Sequence, residues 1–396
     1  MNDLGAQMAL LCRGAVDVIS EPELRAKLSS RRRLRVKAGF DPTSADLHLG
    51  HTVIMRKLRH FQQLGHEVIF LIGDFTARIG DPSGRSETRP VLEAHQIARN
   101  AATYEQQAFR ILERTQTQVV WNSSWMEKLA AADIVRLAAE FTVARMLERD
   151  DFRERFSRHQ PIGLHELLYP LMQGYDSVEV DADVEIGGTD QKFNLLVGRD
   201  LQRNRGRVPQ VVITMPLLEG TDGVQKMSKS LGNAIGITDD PSEMYGRVMS
   251  ISDELMLRYY ELLSDADSGR LSAIREARVH PMEAKKALAE EIATRHHGAL
   301  AAAGAADEFR RRFQLGGLPD DVPLFRWSEK RGPVAICELL KEAGLVGSMA
   351  EARRLIAQGG VRVDGAKIST LTHEIGDRGL VVHVGKRRVV RVVRSR

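Results

Sequence analysis

Short runs rich in β-branched residues punctuate the first half of the chain: Leu34 to Phe40, Glu67 to Gly73, Thr117 to Trp121, Val184 to Gly187 and Gln210 to Met215. Each has the length of a strand, and longer stretches of helical periodicity separate them. Between the first two, Val53, Ile54, Leu58, Phe61 and Leu64 recur at helical spacing up to Gly65, where a helix can stop. Strand–helix–strand alternation of this kind predicts an α/β fold built on a parallel sheet with crossover helices. Ligands of such sheets bind beyond the carboxyl ends of the strands, and Gly39-Phe40-Asp41-Pro42, Gly73-Asp74 and Gly187-Gly188 all fall there.

The pattern changes twice more along the chain. From Ala94 to about Arg158 it is mostly helical and charged, broken only by Val119-Val120-Trp121, which reads as an insertion within the sheet domain. From Pro241 to about Phe313 it is helical again. Gly316-Gly317-Leu318-Pro319-Asp320-Asp321 is dense in turn formers and reads as a linker. A tail begins near Gly332. It shows a helical stretch with Leu339, Leu340, Ala343 and Leu345, a second helix from Met349 to Gln358, and strand-like segments at Val361 to Val363, Leu380 to Val384 and Val389 to Val393.

Charge sharpens this division. The 396 residues carry a net charge of only +4, yet residues 331–396 hold 13 Lys and Arg against 6 Asp and Glu, leaving 44 against 47 in residues 1–330. A basic appendix on a near-neutral body suits nucleic acid, although a merely solubilising tail would show the same balance. No apolar run approaches the roughly 20 residues needed to span a bilayer, and the first residues lack an export leader. The two cysteines, Cys12 and Cys337, lie far apart and form no Cys-x-x-Cys or clustered Cys/His pattern, so neither a disulfide framework nor a structural zinc site is expected and the cytoplasm fits best.

Two segments carry candidate chemistry. Asp41-Pro42-Thr43-Ser44-Ala45-Asp46-Leu47-His48-Leu49-Gly50-His51 lies between the first strand and the first strong helix. Such a junction offers unpaired backbone N–H groups to a phosphate, Gly50 lets a flat ring approach the backbone, and His48 and His51 share one helix face. Far along the chain, Lys226-Met227-Ser228-Lys229-Ser230 sits between Gly220-Thr221-Asp222-Gly223 and Gly232-Asn233. A mobile loop with two ammonium groups can close on a polyphosphate. Taken singly, the first segment reads as ordinary helix histidines and the second as a solvated basic loop.

Together, in this order and setting, they resemble the paired HIGH and KMSKS signatures of class I aminoacyl-tRNA synthetases. Tyr169-Pro170-Leu171-Met172-Gln173-Gly174-Tyr175-Asp176 is similar to the substrate helix of tyrosyl-tRNA synthetases within that class, and Ile186-Gly187-Gly188-Thr189-Asp190-Gln191 to the segment that follows it there. Residues 169, 173 and 176 fall on one helix face, so their side chains can converge on one ligand. Ile72 to Arg85, containing Thr76 and Asp81, also resembles this family, and the tail from 332 resembles an S4-type RNA-binding module.

The resemblance implies a Rossmann-type catalytic domain over 1–225 with its helical insertion near 94–158, an α-helical anticodon-side domain with the lysine loop over 226–320, and a small α+β S4-like domain over 332–396. It implies activation of L-tyrosine with ATP to an adenylate and transfer to the tRNA for tyrosine. Thr43, His48, His51, Lys226, Lys229, Arg85 and Arg89 would act on the phosphates. Asp41, Gly50, Gly188 and Asp190 would hold ATP together with Lys229. Tyrosine would be held by Thr76, Asp81, Tyr169, Gln173, Asp176 and Gln191, with Asp176 meeting the phenolic hydroxyl. Arg353, Arg354 and Arg362 would meet RNA. Magnesium would accompany ATP and pyrophosphate without a protein-ligated metal site, and a homodimer is expected.

Two positions depart from the family pattern. In the family's other main type a tyrosine just before Gly-Phe-Asp-Pro also contacts the substrate hydroxyl, where this chain has Lys37-Ala38, so hydroxyl recognition rests more heavily on Asp176. Leu-Gln-Ile-Gly-Gly becomes Val184-Glu185-Ile186-Gly187-Gly188, placing a carboxylate beside the amino-acid pocket.

Overall fold

A computed structural model describes residues 3–83, 93–314, 322–327, 334–368, 370–373, 379–385 and 388–394. The chain divides into two compact units, Met1–Ala302 and Ala303–Arg396.

The first unit is built on a six-stranded sheet: β1 (Asp17–Ile19), β2 (Arg35–Phe40), β3 (Glu67–Ile72), β4 (Thr117–Trp121), β5 (Val184–Gly188) and β6 (Val211–Met215), in the order β1-β6-β5-β2-β3-β4. β2 through β6 run parallel, and β1 joins the edge antiparallel to β6. β5 and β6 are buried throughout and β3 nearly so, which is why these strands are continuous apolar runs rather than alternating ones: both faces are covered. All five expected strands are present. β1 is a three-residue strand, too short to show a pattern. β4 pairs residue by residue with β3 and belongs to the sheet, so the Ala94–Ala108 helix is part of a crossover and the stretch outside the sheet is narrower than 94–158, running from Ser123 to Ser157 as short helices.

After β2 the chain winds outward through β3 and β4, then returns to place β5 on the other side of β2. This reversal opens a crevice between the carboxyl ends of β2 and β5. Helix Leu49–Gln63 follows β2, burying Val53, Leu58 and Phe61, and ends before Gly65, whose φ of 88° only glycine adopts readily. Helix Leu164–Glu179 precedes β5 and packs on helix Lys192–Asn204. A Cβ on Gly174 would lie 2.8 Å from Val197 Cγ1 and 3.0 Å from the Gly198 nitrogen, so glycine at 174 sets how closely these helices approach. Helices Pro241–Ser250, Asp253–Leu263 and Pro281–His297 complete the unit around Tyr259, Tyr260, Leu288 and Ile292. Arg13 ties the N-terminal helix to them, donating to the carbonyls of Ala266, Tyr260 and Ser264.

The second unit contains the two helices expected in the tail, Ile336–Glu342 and Met349–Ala357, over a five-stranded sheet in the order Ala366–Lys367, Val361–Val363, Leu380–Val384, Arg388–Arg394, Leu324–Trp327. Val361, Val363, Val382 and Val392 pack with Ile336, Leu339, Leu340 and Ile356 in its core. Leu324–Trp327 pairs in parallel with Arg388–Arg394, so this module recruits chain upstream of Gly332. The expected linker, 316–321, lies outside the described residues.

Candidate active site

The crevice is a cleft of about 470 Å³. Asp41, Thr43, His48, Gly50 and His51 line it from the end of β2 and the start of the following helix, Thr76 and Asp81 from beyond β3, Tyr169, Gln173 and Asp176 from the substrate-helix candidate, Gly188, Asp190 and Gln191 from beyond β5, and Lys226 from the lysine loop. Arg85 and Arg89 lie outside the described residues.

At the deep end Asp176 is buried, its Oδ1 accepting from Trp125 Nε1 at 2.9 Å and its Oδ2 from Asn122 Nδ2 at 3.3 Å. Burial pushes its carboxyl up to about 7 against the opposing influence of the Lys37 ammonium and the two hydrogen bonds. Asn122 is fully enclosed and also binds Thr76 Oγ1 and the Phe75 N–H. Asp41 accepts from Thr76 Oγ1 at 2.8 Å and from the Tyr169 hydroxyl at 2.9 Å, which fixes the tyrosine ring against the end of β2. Burial, followed by the Asp41 carboxylate, raises the Tyr169 phenol well above its ordinary range, so it stays a neutral donor.

Beside Tyr169 stands a second polar cluster. Asp81 accepts from Gln191 Nε2 at 2.9 Å, from Ser83 Oγ at 2.6 Å and from Arg149 at 3.3 Å. Arg149 is buried and donates to Asn194 Oδ1 at 2.9 Å, while Asn194 donates to both Gln173 and Gln191. This network orients three amide and carboxylate groups toward one side of the cleft, where an α-ammonium could be surrounded by acceptors.

The mouth is differently built. Nδ1 of His48 accepts from the Gly50 N–H and Nδ1 of His51 from the His48 N–H, each at 3.2 Å. Burial holds His48 near 2 and His51 near 4, with the nearby Lys229 adding to both depressions. Both rings are therefore neutral at pH 7, carry the proton on Nε2, and act as donors rather than cations. The lysine loop is organised by buried Asn233, whose side chain accepts from the Ser228 N–H at 2.8 Å and donates to Asp222 at 2.8 Å. Lys229 does not line the cleft. Its ammonium lies 2.7 Å from Asp46 Oδ2.

Residues 29–314 match the family of tRNA synthetases class I (W and Y) and residues 338–374 match the S4 domain. The tyrosine–tRNA ligase of Geobacter sulfurreducens is 57% identical over 395 residues, covering 98% of each chain, and that of Colwellia psychrerythraea is 52% identical over 407 residues, covering the whole of both. The chain belongs to the class I tyrosine–tRNA ligases. Its body and its S4 tail are those of that family. Among solved structures, a C-terminally truncated mitochondrial tyrosyl-tRNA synthetase from Aspergillus nidulans is similar in fold at a TM-score of 0.66 and 23% identity, over 78% of this chain and 94% of that one. The tyrosyl-tRNA synthetase from Archaeoglobus fulgidus, complexed with L-tyrosine, gives 0.62 and 22% over 77% and 100%.

Several residues behind the cleft wall that hold its side chains in place carry little mark in the sequence. Arg149 sits in the run Glu148-Arg149-Asp150-Asp151 and looks like solvated charge. Asn122 and Trp125 follow β4, and the carboxyl end of a parallel strand was the signal that could have found them. Ser83 and Asn194 are recognisable only through their partners.

Proposed function

We propose that this chain makes tyrosyl-tRNA in two steps at the cleft between β2 and β5. The observation that carries the reading is the graded chemistry of that cleft: a buried carboxylate at the closed end, a ring of acceptors beside Tyr169, and neutral imidazole donors with ammonium groups at the mouth. A tyrosine fits with its hydroxyl donating to Asp176 and its ammonium near Asp81, Tyr169, Gln173 and Gln191. Phenylalanine in the same place would leave the buried carboxylate without its partner.

The substrate's own carboxylate attacks the α-phosphorus of ATP and pyrophosphate departs, so the enzyme supplies position and charge rather than a covalent nucleophile. His48 and His51 donate from Nε2 to phosphate oxygens, with Thr43 beside them. Gly50 and Gly188 leave room for the nucleotide, and Asp190 accepts from ribose hydroxyls. A Cβ at Gly188 would lie 2.4 Å from Asp190 Oδ1, so glycine here allows that carboxylate its position. Lys226 and Lys229, with Arg85 and Arg89, neutralise the departing pyrophosphate when the lysine loop closes. Among the described residues no three His, Cys, Asp or Glu side chains gather to hold a metal. Magnesium would enter on the ATP phosphates. In the second step a ribose hydroxyl of the tRNA's terminal adenosine attacks the mixed anhydride and releases AMP.

The S4 tail would bind tRNA through exposed Arg353 and Arg354 on helix Met349–Ala357 and exposed Arg362 on the adjacent strand. Residues 1–225 would form the catalytic domain and 226–320 the loop and anticodon-side helices, in a cytoplasmic homodimer. No helix among the described residues is long and apolar enough to cross a membrane. Pyrophosphate exchange measured with each of the twenty amino acids tests the central claim. Exchange with tyrosine alone is expected, and exchange driven by tryptophan instead would overturn it.

A further inference from the structure

The two departures from the family pattern are one structural feature. Lys37 and Glu185 are register partners on neighbouring strands β2 and β5, and Nζ lies 2.8 Å from Oε1 with both side chains enclosed, at 0% and 1% exposure. Burying an ion pair costs more than its attraction returns unless the remaining donors and acceptors are also met. Here they are engaged: Lys37 donates to the Ser177 hydroxyl at 2.8 Å and to the Gln173 carbonyl at 3.1 Å, and Glu185 Oε2 accepts from Ser177 at 2.8 Å and from Gln210 Nε2.

What Lys37 grips matters. Gln173 and Ser177 are four residues apart on helix Leu164–Glu179 and bracket Asp176, so the ammonium binds the turn that carries the carboxylate at the end of the cleft. Lys37 does not itself line the cleft. The charged groups that face Asp176 are Lys37 from β2, which favours the ionised form, and Glu185 from β5, which opposes it. Trp125 and Asn122, from the chain after β4, are neutral donors.

We propose that Lys37, clamped by Glu185, is a positioning residue that keeps Asp176 an ionised, aimed acceptor and thereby sets how sharply tyrosine is separated from phenylalanine. The inference rests on the assignment of Asp176 to the substrate hydroxyl. Glu185 has a defined part in it: its carboxylate meets the Lys37 ammonium at 2.8 Å and holds it against the helix turn that carries Asp176. A neutral hydroxyl at position 37 could contact substrate but could not supply that charge.

The test is the pH profile of kcat/KM for tyrosine and for phenylalanine in pyrophosphate exchange, on full-length Lys37→Met, Lys37→Met/Glu185→Gln and Asp176→Asn. In Lys37→Met the tyrosine profile should move to higher pH by about one unit, and the tyrosine-over-phenylalanine ratio at pH 7 should fall about fivefold. The double variant, which also removes the opposing carboxylate, should bring the profile back toward the parent. A folded Lys37→Met with parental ratio and profile would overturn the proposal, as would a double variant shifted as far as the single one. If Lys37→Met does not fold, Lys37→Gln, which keeps a donor for the Gln173 carbonyl, is read by the same criteria. Asp176→Asn separates the two levels: retained discrimination there overturns the assignment of Asp176, whereas lost discrimination there with an unchanged Lys37→Met overturns only the role of Lys37.

Discussion

Lys229 reaches back across the mouth of the cleft to Asp46, its ammonium 2.7 Å from Oδ2, although 183 residues separate them in the chain. The lysine must leave this carboxylate to meet a polyphosphate. Both side chains are nearly half exposed, so solvent screens the pair and its worth is at most about 1 kcal/mol. Asp46→Asn is expected to lower the KM for ATP in pyrophosphate exchange, by up to about fivefold. A raised KM would show that Asp46 serves the substrate rather than holding the loop.

Lys229→Ala addresses the other partner. Stopped-flow measurement of tyrosyl-adenylate formation should show a slowed step with the equilibrium affinity for tyrosine nearly unchanged, because the charge it meets develops on the departing pyrophosphate. Equal losses in rate and tyrosine affinity would contradict the role.

Arg149 is the hub of the acceptor cluster beside Tyr169. Arg149→Met removes the cation paired with the mostly buried carboxylates of Asp81 and Asp151 and should cost about 3–5 kcal/mol in chemical denaturation. At temperatures where the variant is folded, the KM for tyrosine should rise while the KM for ATP holds. A parallel rise in both would mean a general loss of structure.

Acid should destabilise the first unit early. Burial, the leading cause in each case, holds His48 near 2, His51 near 4, and His60 and His296 near 3, all below an ordinary value of 6.5. The unfolded chain takes up those protons first. The stability these four contribute is therefore complete above pH 6.5 and is lost as pH falls through their folded values. Asp176 acts in the opposite direction, its contribution being present below its ordinary 3.8 and lost as pH rises through about 7. Asp151 and Asp190, raised first by burial, act with Asp176, and the histidines still outnumber these three, so the Tm should fall steadily from pH 6.5 to 4. A flat Tm over that range would refute the burial of the histidines.

The tail can be separated from the chemistry, but the cut matters. Strand Leu324–Trp327 belongs to the tail's sheet, so a deletion starting at 332 would leave an apolar strand without its neighbour. Removal of residues 315–396 should preserve tyrosine-dependent pyrophosphate exchange and cripple tRNA charging at physiological salt. Full charging by the shortened protein would exclude an RNA-binding role for the tail.

What could be read from sequence was whatever depends on neighbours in the chain. β3, β5 and β6 showed as apolar runs because strands covered on both faces need no alternation, and the helix stop at Gly65 followed from local backbone chemistry. His48, His51, Tyr169, Gln173 and Asp176 were found because the segments that carry them resemble the family's signatures, while helical spacing by itself left them open to an ordinary reading. Lys37 and Glu185 were visible only as two separate departures, since nothing local says that β2 lies beside β5. Arg149 was missed because a buried arginine within a charged run carries no local mark of burial. Lys229 was expected in the cleft and stands at its edge, since the mouth supplies a competing carboxylate that spacing does not reveal.

The winding of the sheet also fixes the timing of the protein's birth. Lys37 and its partner Ser177 are 140 residues apart, and Gln210, which completes the same buried cluster, is made later still. As the chain leaves the ribosome, the wall formed by β2 and β3 must wait with an unmatched lysine at its centre until the opposite wall is synthesised. The lining of the cleft runs on to Leu231, so the enzyme that loads tyrosine for translation completes its own cleft only after more than half of it has been translated.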